Sequence, residues 1–248
     1  MNKIKPLPKQ PNIIFFGTPE FAVGILEELK KTEIMPNLIV TAPDKPAGRK
    51  LKLTPPPVKI WAEENEINVL QPQKLDGDFL SALKKSPSNF CGNFSGWVLF
   101  IVAAYGKIIP QTILDIPKFG TLNVHPSLLP KFRGPAPIHS AILAGERESG
   151  VSIMLLDAEM DHGPILAQEK ITLYKNSISE MPSTDQLEKQ LAIAGGKLLG
   201  NTIPKWLSGE IKACEQNHNE ATYCQKLKSD DGLLNLNAEA ELNFRKIQ

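Results

Sequence analysis

The 248-residue chain has no apolar run approaching the roughly 18 residues of a membrane span, and its opening MNKIKPLPKQP lacks a signal peptide's apolar core. The protein is therefore expected in the cytoplasm, with no membrane partner. Cysteine is scarce: Cys91, Cys214 and Cys224 are odd in number and read as free thiols of a reducing compartment. There is no CxxC or HxxxH spacing, so no metal is expected. Neither charge sign dominates, since 28 Lys+Arg against 27 Asp+Glu leave a net +1. Any nucleic-acid contact must then come from a local patch. The first turn, Gly17-Thr18-Pro19-Glu20, lacks the three-glycine dinucleotide spacing and places a carboxylate where a pyrophosphate would sit, which argues against a nicotinamide dehydrogenase. No serine or cysteine sits in a nucleophile elbow, so no covalent intermediate is expected. There is no internal repeat.

The composition is that of an ordinary globular protein, 42% hydrophobic and 22% charged, long enough for one large domain and a piece of a second. Ile13 to Phe16 is an apolar run ended by Gly17, consistent with a buried parallel strand. Thr18 is placed to cap the next helix and Pro19 to fill its first turn. Phe21, Ala22, Ile25, Leu26 and Leu29 then recur at helical spacing, and a strand at Leu38 to Val40 completes a βαβ unit.

Further helices are expected over Val58 to Asn65, around Phe79, Leu80 and Leu83, over Ala136 to Ala144 with Ile138, Ile142 and Leu143 facing in, and from Thr184 to Leu207. Strands are expected near Val69 to Leu70, at Thr121 to Val124, at Val151 to Leu156 and, as an edge, at Ile165 to Ile171. Trp97 to Ala104 is the most apolar run and the expected central strand. Residues 86 to 96 read as a loop, and Leu233 to Ile247 as a strand-turn-helix too short to bury a core alone. The predicted fold class is α/β and Rossmann-like, a mostly parallel sheet flanked by helices. It divides into an N-terminal tail (1–11), a catalytic domain (12–207), a linker (208–230) and a short C-terminal piece (231–248).

Asn123 and His125 stand two apart at the end of a strand, so they share a face. The carboxyl end of such a strand is where open α/β sheets bind ligands. After Pro126 the loop Ser127-Leu128-Leu129-Pro130 is apolar with one hydroxyl, and Arg133-Gly134 closes it. The plainer alternative is a hydrogen-bonded histidine beside a proline-rich turn. Asp161, in the acidic turn Asp157 to Pro164, offers a carboxylate. An amide N–H beside an imidazolium makes an oxyanion hole for a tetrahedral intermediate at an acyl carbon. The carboxylate would orient the histidine or take a proton from the nucleophile. The acyl group would pass directly from donor to acceptor. His162 is an alternative to His125, while His139 and His218 read as structural or solvated. The loop from Ala42 to Pro57 sets Lys45, Arg49, Lys50 and Lys52 against Asp44 alone. That is either a solvated surface loop or an arm that contacts phosphates.

In this order GTPEFAV, PDKPAGR, VAAYGKIIP, LNVHPSLLPKFRGPAPI and GVSIMLLDAEMDHGPIL closely resemble the methionyl-tRNA formyltransferases. The resemblance covers residues 12 to about 207 and continues more loosely through ATYCQKL. The NVHPSLLPKFRG block and the DHGP turn are shared across formyltetrahydrofolate-dependent formyltransferases, whereas GTPEFAV and PDKPAGR point to the tRNA member. The resemblance implies the formyltransferase fold, Asn123, His125 and Asp161 as the catalytic trio, and Ser127, Leu128, Leu129 and Pro130 as the cradle for 10-formyltetrahydrofolate. It also implies a loop, with Lys45, Arg49, Lys50 and Lys52, that reaches the acceptor stem of initiator methionyl-tRNA, with Arg49 at the first base pair. A monomer without metal is expected. Two departures accompany it: the chain stops soon after a C-terminal tRNA-binding domain would begin, and the 86–96 loop is longer and richer in Ser, Asn and Gly. The alternatives are a formyltransferase for a small amine (glycinamide ribonucleotide or an amino sugar) and a truncated, non-catalytic folate- or tRNA-binding remnant.

Overall fold

The computed structural model describes residues 11–48, 51–85 and 96–248. Most of the expected N-terminal tail, Arg49, Lys50, Cys91 and nearly all of the 86–96 loop lie outside the described residues. The elements run β1 (Ile13–Gly17), α1 (Glu20–Lys31), β2 (Leu38–Val40), β3 (Lys45–Ala47), β4 (Lys52–Thr54), α2 (Pro57–Glu64), β5 (Asn68–Leu70), α3 (Gly77–Lys85), β6 (Leu99–Ala103) and α4 (Gln111–Leu114). They continue with β7 (Thr121–His125), α5 (Pro137–Ala144), β8 (Glu148–Leu155), β9 (Ile165–Thr172), α6 (Thr184–Ser208) and α7 (Ala240–Ile247).

One seven-stranded sheet has the order β5-β2-β1-β6-β7-β8-β9. It is parallel from β5 to β7, and β8 and β9 then run antiparallel. This is the mostly parallel, helix-flanked sheet expected, with β6 at its centre. The apolar runs are continuous because both faces are covered. Ile13, Phe15, Leu99, Ile101, Leu122 and Val124 enter a core shared with α1, α2, α5 and α6, whereas Ile14, Phe16, Phe100 and Val102 enter a second core with α3 and α4. Helix α1 lies directly on α6, and a Cβ added at Gly196 would come within 2.5 Å of Glu28 Cβ, so the helices could not approach this closely without glycine there. Ser183 and Gln186 form a capping box at the start of α6, and Gly209 ends it in the left-handed region at φ 76°.

Four local expectations are corrected. Pro19, not Thr18, occupies the N-cap position of α1, and the Thr18 hydroxyl donates instead to the Tyr105 carbonyl at the end of β6 (3.1 Å). The basic loop is a β-hairpin, with β3 and β4 paired Lys45 to Thr54 and Ala47 to Lys52. In α5 the fully inward positions are Ile138, Ala141 and Ile142, with Leu143 half-buried. Residues 233–239 hold no strand, with a turn at 236–237, and α7 docks through Arg245 on the Leu143 carbonyl (3.2 Å).

Candidate active site

β7 carries the site because its alternation sends Leu122 and Val124 into the α1–α6 core and leaves Asn123 and His125 on the opposite face. Both are buried, and the turn after β8 brings Asp161 to them. Asn123 Nδ2 donates to Asp161 Oδ1 at 3.5 Å, and His125 Nδ1 lies 3.6 Å from the same oxygen. The other carboxylate oxygen, Oδ2, accepts the Gly134 N–H at 2.7 Å. His125 Nε2 sits 3.0 Å from the Phe132 carbonyl. A carbonyl only accepts, so Nε2 carries a hydrogen and the Nδ1 edge faces the carboxylate. Asp161 and Phe132 hold φ of 50° and 57°, left-handed conformations that non-glycine residues adopt at an energetic cost. The three residues singled out in sequence are thus brought together. The two contacts from Asn123 and His125 are long, and would tighten only as charge develops between them.

The Ser127–Pro130 loop begins beside His125, but its hydrogen bonds turn inward. Ser127 Oγ donates to the Lys131 carbonyl (2.6 Å), and Ser152 Oγ accepts the Leu129 N–H (3.1 Å) while donating to the Ser127 carbonyl (2.6 Å). Gln168 Nε2 donates to the Leu129 carbonyl at 2.9 Å. These groups make a rigid loop. Its outward face is the apolar half-exposed surface of Leu128 and Pro130.

The stretch expected as a linker lies across the site. Ile165 and Cys214 exchange both backbone hydrogen bonds at 2.8 Å, which attaches residue 214 to β9. Farther along, the Arg133 N–H donates to Thr222 O and the Cys224 N–H to Arg133 O, each at 2.8 Å. Gly134, at φ 115°, is needed for this contact because a Cβ there would stand 2.4 Å from Cys224 O. Gln216 and Cys224 are buried here, and burial pushes the Cys224 thiol above its usual range. Sequence reading missed this strap, since its polar composition resembles a solvated linker and its contacts lie 53 to 92 residues away along the chain, as with Gln216 to Gly163 and Cys224 to Phe132.

Lys45 and Lys52 are exposed on the same face of the hairpin, which follows from their register. Asp44 anchors its foot: Gln71 donates to it at 2.7 Å and Lys59 at 2.9 Å, and together they hold its carboxyl below the ordinary aspartate range. A cavity of about 1040 Å3 lies between α1, α6 and the hairpin foot, lined by Phe21, Ala42, Pro56, Ala192 and Ile193 among others. It contains none of the trio, whose side chains leave β7 on the face opposite the α1–α6 core. Among the described residues no group of three or more His, Cys, Asp or Glu is placed to hold a metal. No helix among them is long and apolar enough to cross a membrane.

A formyl transferase family model matches residues 11–203. The methionyl-tRNA formyltransferase of Hydrogenobaculum sp. (strain Y04AAS1) is 44% identical over 219 residues, covering 88% of this chain and 67% of that protein. That of Geobacillus sp. (strain WCH70) is 41% identical over 220 residues, covering 88% and 64%. The chain spans about two thirds of the length of these curated relatives. Among solved structures, an N-formyltransferase from Helicobacter canadensis in complex with folinic acid and dTDP-3-aminofucose matches with a TM-score of 0.68 at 19% identity, covering 96% of this chain and 80% of that one. A methionyl-tRNA formyltransferase from Clostridium thermocellum matches with a TM-score of 0.57 at 18% identity, covering 96% and 82%. At such identities these structures speak to the fold alone.

Proposed function

The chain belongs to the formyl transferase family, and from that premise we propose that it transfers the formyl group of 10-formyltetrahydrofolate to the amino group of methionine on initiator tRNA. The observation that carries the reading is the convergence of Asn123, His125 and Asp161 at the carboxyl end of β7. The 38–44% identity to methionyl-tRNA formyltransferases supports the acceptor. The hairpin lysines Lys45 and Lys52, with Arg49 and Lys50 between them in sequence, supply cations for a phosphate backbone.

The methionine amine attacks the formyl carbon, its oxygen becomes an oxyanion, and the bond from carbon to the folate nitrogen breaks. Asn123 has an N–H to offer that oxygen, and a proton on His125 Nδ1 would face it from beside the carboxylate. Asp161 takes the proton lost by the amine, directly or through one water. One proton is delivered to the folate nitrogen as it leaves, so the tetrahydrofolate departs neutral at that atom while the oxyanion collapses to the formamide. The apolar surface of Leu128 and Pro130 suits a flat pterin, with recognition left to backbone and side chains around it. The folate donor is here a substrate, consumed in each turnover.

The test is transfer of labelled formyl from 10-formyltetrahydrofolate to methionyl-tRNA by the purified chain. Product on methionyl-tRNA is expected. Activity confined to glycinamide ribonucleotide or an amino sugar would overturn the acceptor and keep the chemistry. No activity with any amine would favour the non-catalytic remnant.

A further inference from the structure

Formyl transfer by the trio leaves one buried polar network unused. Arg133 is 1% exposed, yet among the described residues no carboxylate pairs with it. Its guanidinium donates to Gln216 Oε1 from Nε (3.2 Å) and Nη2 (2.7 Å), to His218 Nδ1 (2.9 Å) and to the Tyr223 hydroxyl (3.3 Å). Gln216, 5% exposed, uses its two amide hydrogens on the Asp161 carbonyl (2.9 Å) and the Gly163 carbonyl (2.7 Å). The direction of this amide is settled by its partners. Turning it over would set an oxygen against two carbonyls and an NH2 against a guanidinium.

These bonds close a ring. Gly134 N–H holds Asp161 Oδ2, Gln216 holds the Asp161 backbone, and Gln216 is held in turn by Arg133, the neighbour of Gly134. A buried cation without a carboxylate is an expensive way to fix a strap, and apolar side chains of similar size do that at least as well. The ring does something else: it places a left-handed turn whose carboxylate, held at 2.7 Å by the Gly134 N–H, reaches Asn123 and His125 only at 3.5 and 3.6 Å.

We propose that Gln216, clamped by Arg133, is a positioning residue for the reaction: it fixes the turn on both sides of His162 and thereby sets Asp161 against Asn123 and His125. The inference rests on the proposed catalytic role of Asp161. It also places part of the catalytic apparatus at residue 216, beyond the match of the family model, which ends at 203.

Gln216→Glu separates positioning from folding. It keeps the acceptor and gives Arg133 a carboxylate, but it removes both donors to the turn. The new oxygen faces two carbonyls while the carboxylate gains the Arg133 charge, so the expected result is a folded chain with kcat lower by roughly 10- to 100-fold, more than any change in Tm accounts for. KM for both substrates should stay within about 2-fold, because misplacement of about 1 Å costs rate rather than binding. Gln216→Met, without charge or donors, should lower kcat similarly, and serves alone if the Glu variant fails to fold. In an Asp161→Asn background the Gln216 substitutions should cost less than about 2-fold, since the two act through one group. An unchanged kcat, or full additivity with Asp161→Asn, would overturn the proposal. So would kcat lost only in proportion to Tm. A readout without substrate keeps this separate from the functional reading: exchange of the Gly134 amide hydrogen should quicken by about 10-fold or more in either variant. If the wild-type chain formylates nothing, the functional reading fails, and unaltered Gly134 exchange would then sink the positioning inference independently.

Discussion

Asp161 is gripped at its carboxylate by a backbone N–H and reached by two side chains, and each contact has a separable consequence. In the proposed mechanism Asn123→Ala removes a donor to the developing oxyanion, so kcat should fall by about 10²–10³-fold. Tm should change little, because the Asn123 bond to Asp161 is a long one at 3.5 Å. Unchanged turnover at saturating folate donor would rule out the oxyanion role. Gly134→Ala acts differently: it forces a Cβ to 2.4 Å from Cys224 O at a φ of 115°. The expected loss is roughly 1–3 kcal/mol, read as a lower urea midpoint, with activity falling as the strap lifts. Tyr105 gives a prediction of opposite sign. Its hydroxyl is buried without a hydrogen-bond partner among the described residues, and burial pushes its phenol up to about 12 from an ordinary 10.0. The unfolded chain therefore ionises first, and the contribution of Tyr105 to stability should be constant below pH 10 and be lost between 10 and about 12. Tyr105→Phe should remove that decline and raise stability at neutral pH by up to about 1 kcal/mol.

The hairpin is an element whose function and whose legibility part company. Its strands are three residues each, and one reads Lys-Pro-Ala, so no run of apolar alternation announces them. Its basic character was nonetheless plain from composition. By contrast β1 and β6 were legible because strands buried on both faces become unbroken apolar runs, β7 because Leu122 and Val124 alternate with Asn123 and His125, and α6 because twenty-five residues carry a helical stripe. Asn123 and His125 were paired correctly because strand period is fixed at two. Spacing alone could not supply the inward turning of the Ser127–Leu129 hydrogen bonds, which depends on Ser152 and Gln168 from two other strands. Charge reversal at Lys45 and Lys52 tests the arm. The double variant to Glu should weaken methionyl-tRNA binding and reduce the magnitude of its salt slope by about 2, leaving turnover of a small amine untouched. An unaltered salt slope would return these lysines to the solvated surface. Because Asp44 is held below its usual range, its anchoring of the hairpin foot is complete at neutral pH and is lost only as pH drops below 3.8 and through its lowered folded value.

At the scale of the molecule, two cores and one strap have different tasks. All fully buried members of both cores lie between Ile13 and Leu207, and Phe244 adds only a half-buried contact from beyond α6, so the cores should form without the residues that follow α6. The strap contributes little apolar burial of its own. It closes the site from outside by giving Arg133 its side-chain partners and Asp161 its backbone support. A chain ending at Ser208 should therefore fold cooperatively, yet lose at least about 10-fold in kcat because the turn is no longer held. Extending it to Lys228 restores Gln216, Thr222, Tyr223 and Cys224 without α7, and should recover most of that rate. Recovery that needs α7 as well would shift the responsibility to the Arg245 contact on α5. A chain ending at Ser208 that turns over as fast as the full one would mean that the cores alone hold Asp161, and that the strap only covers it.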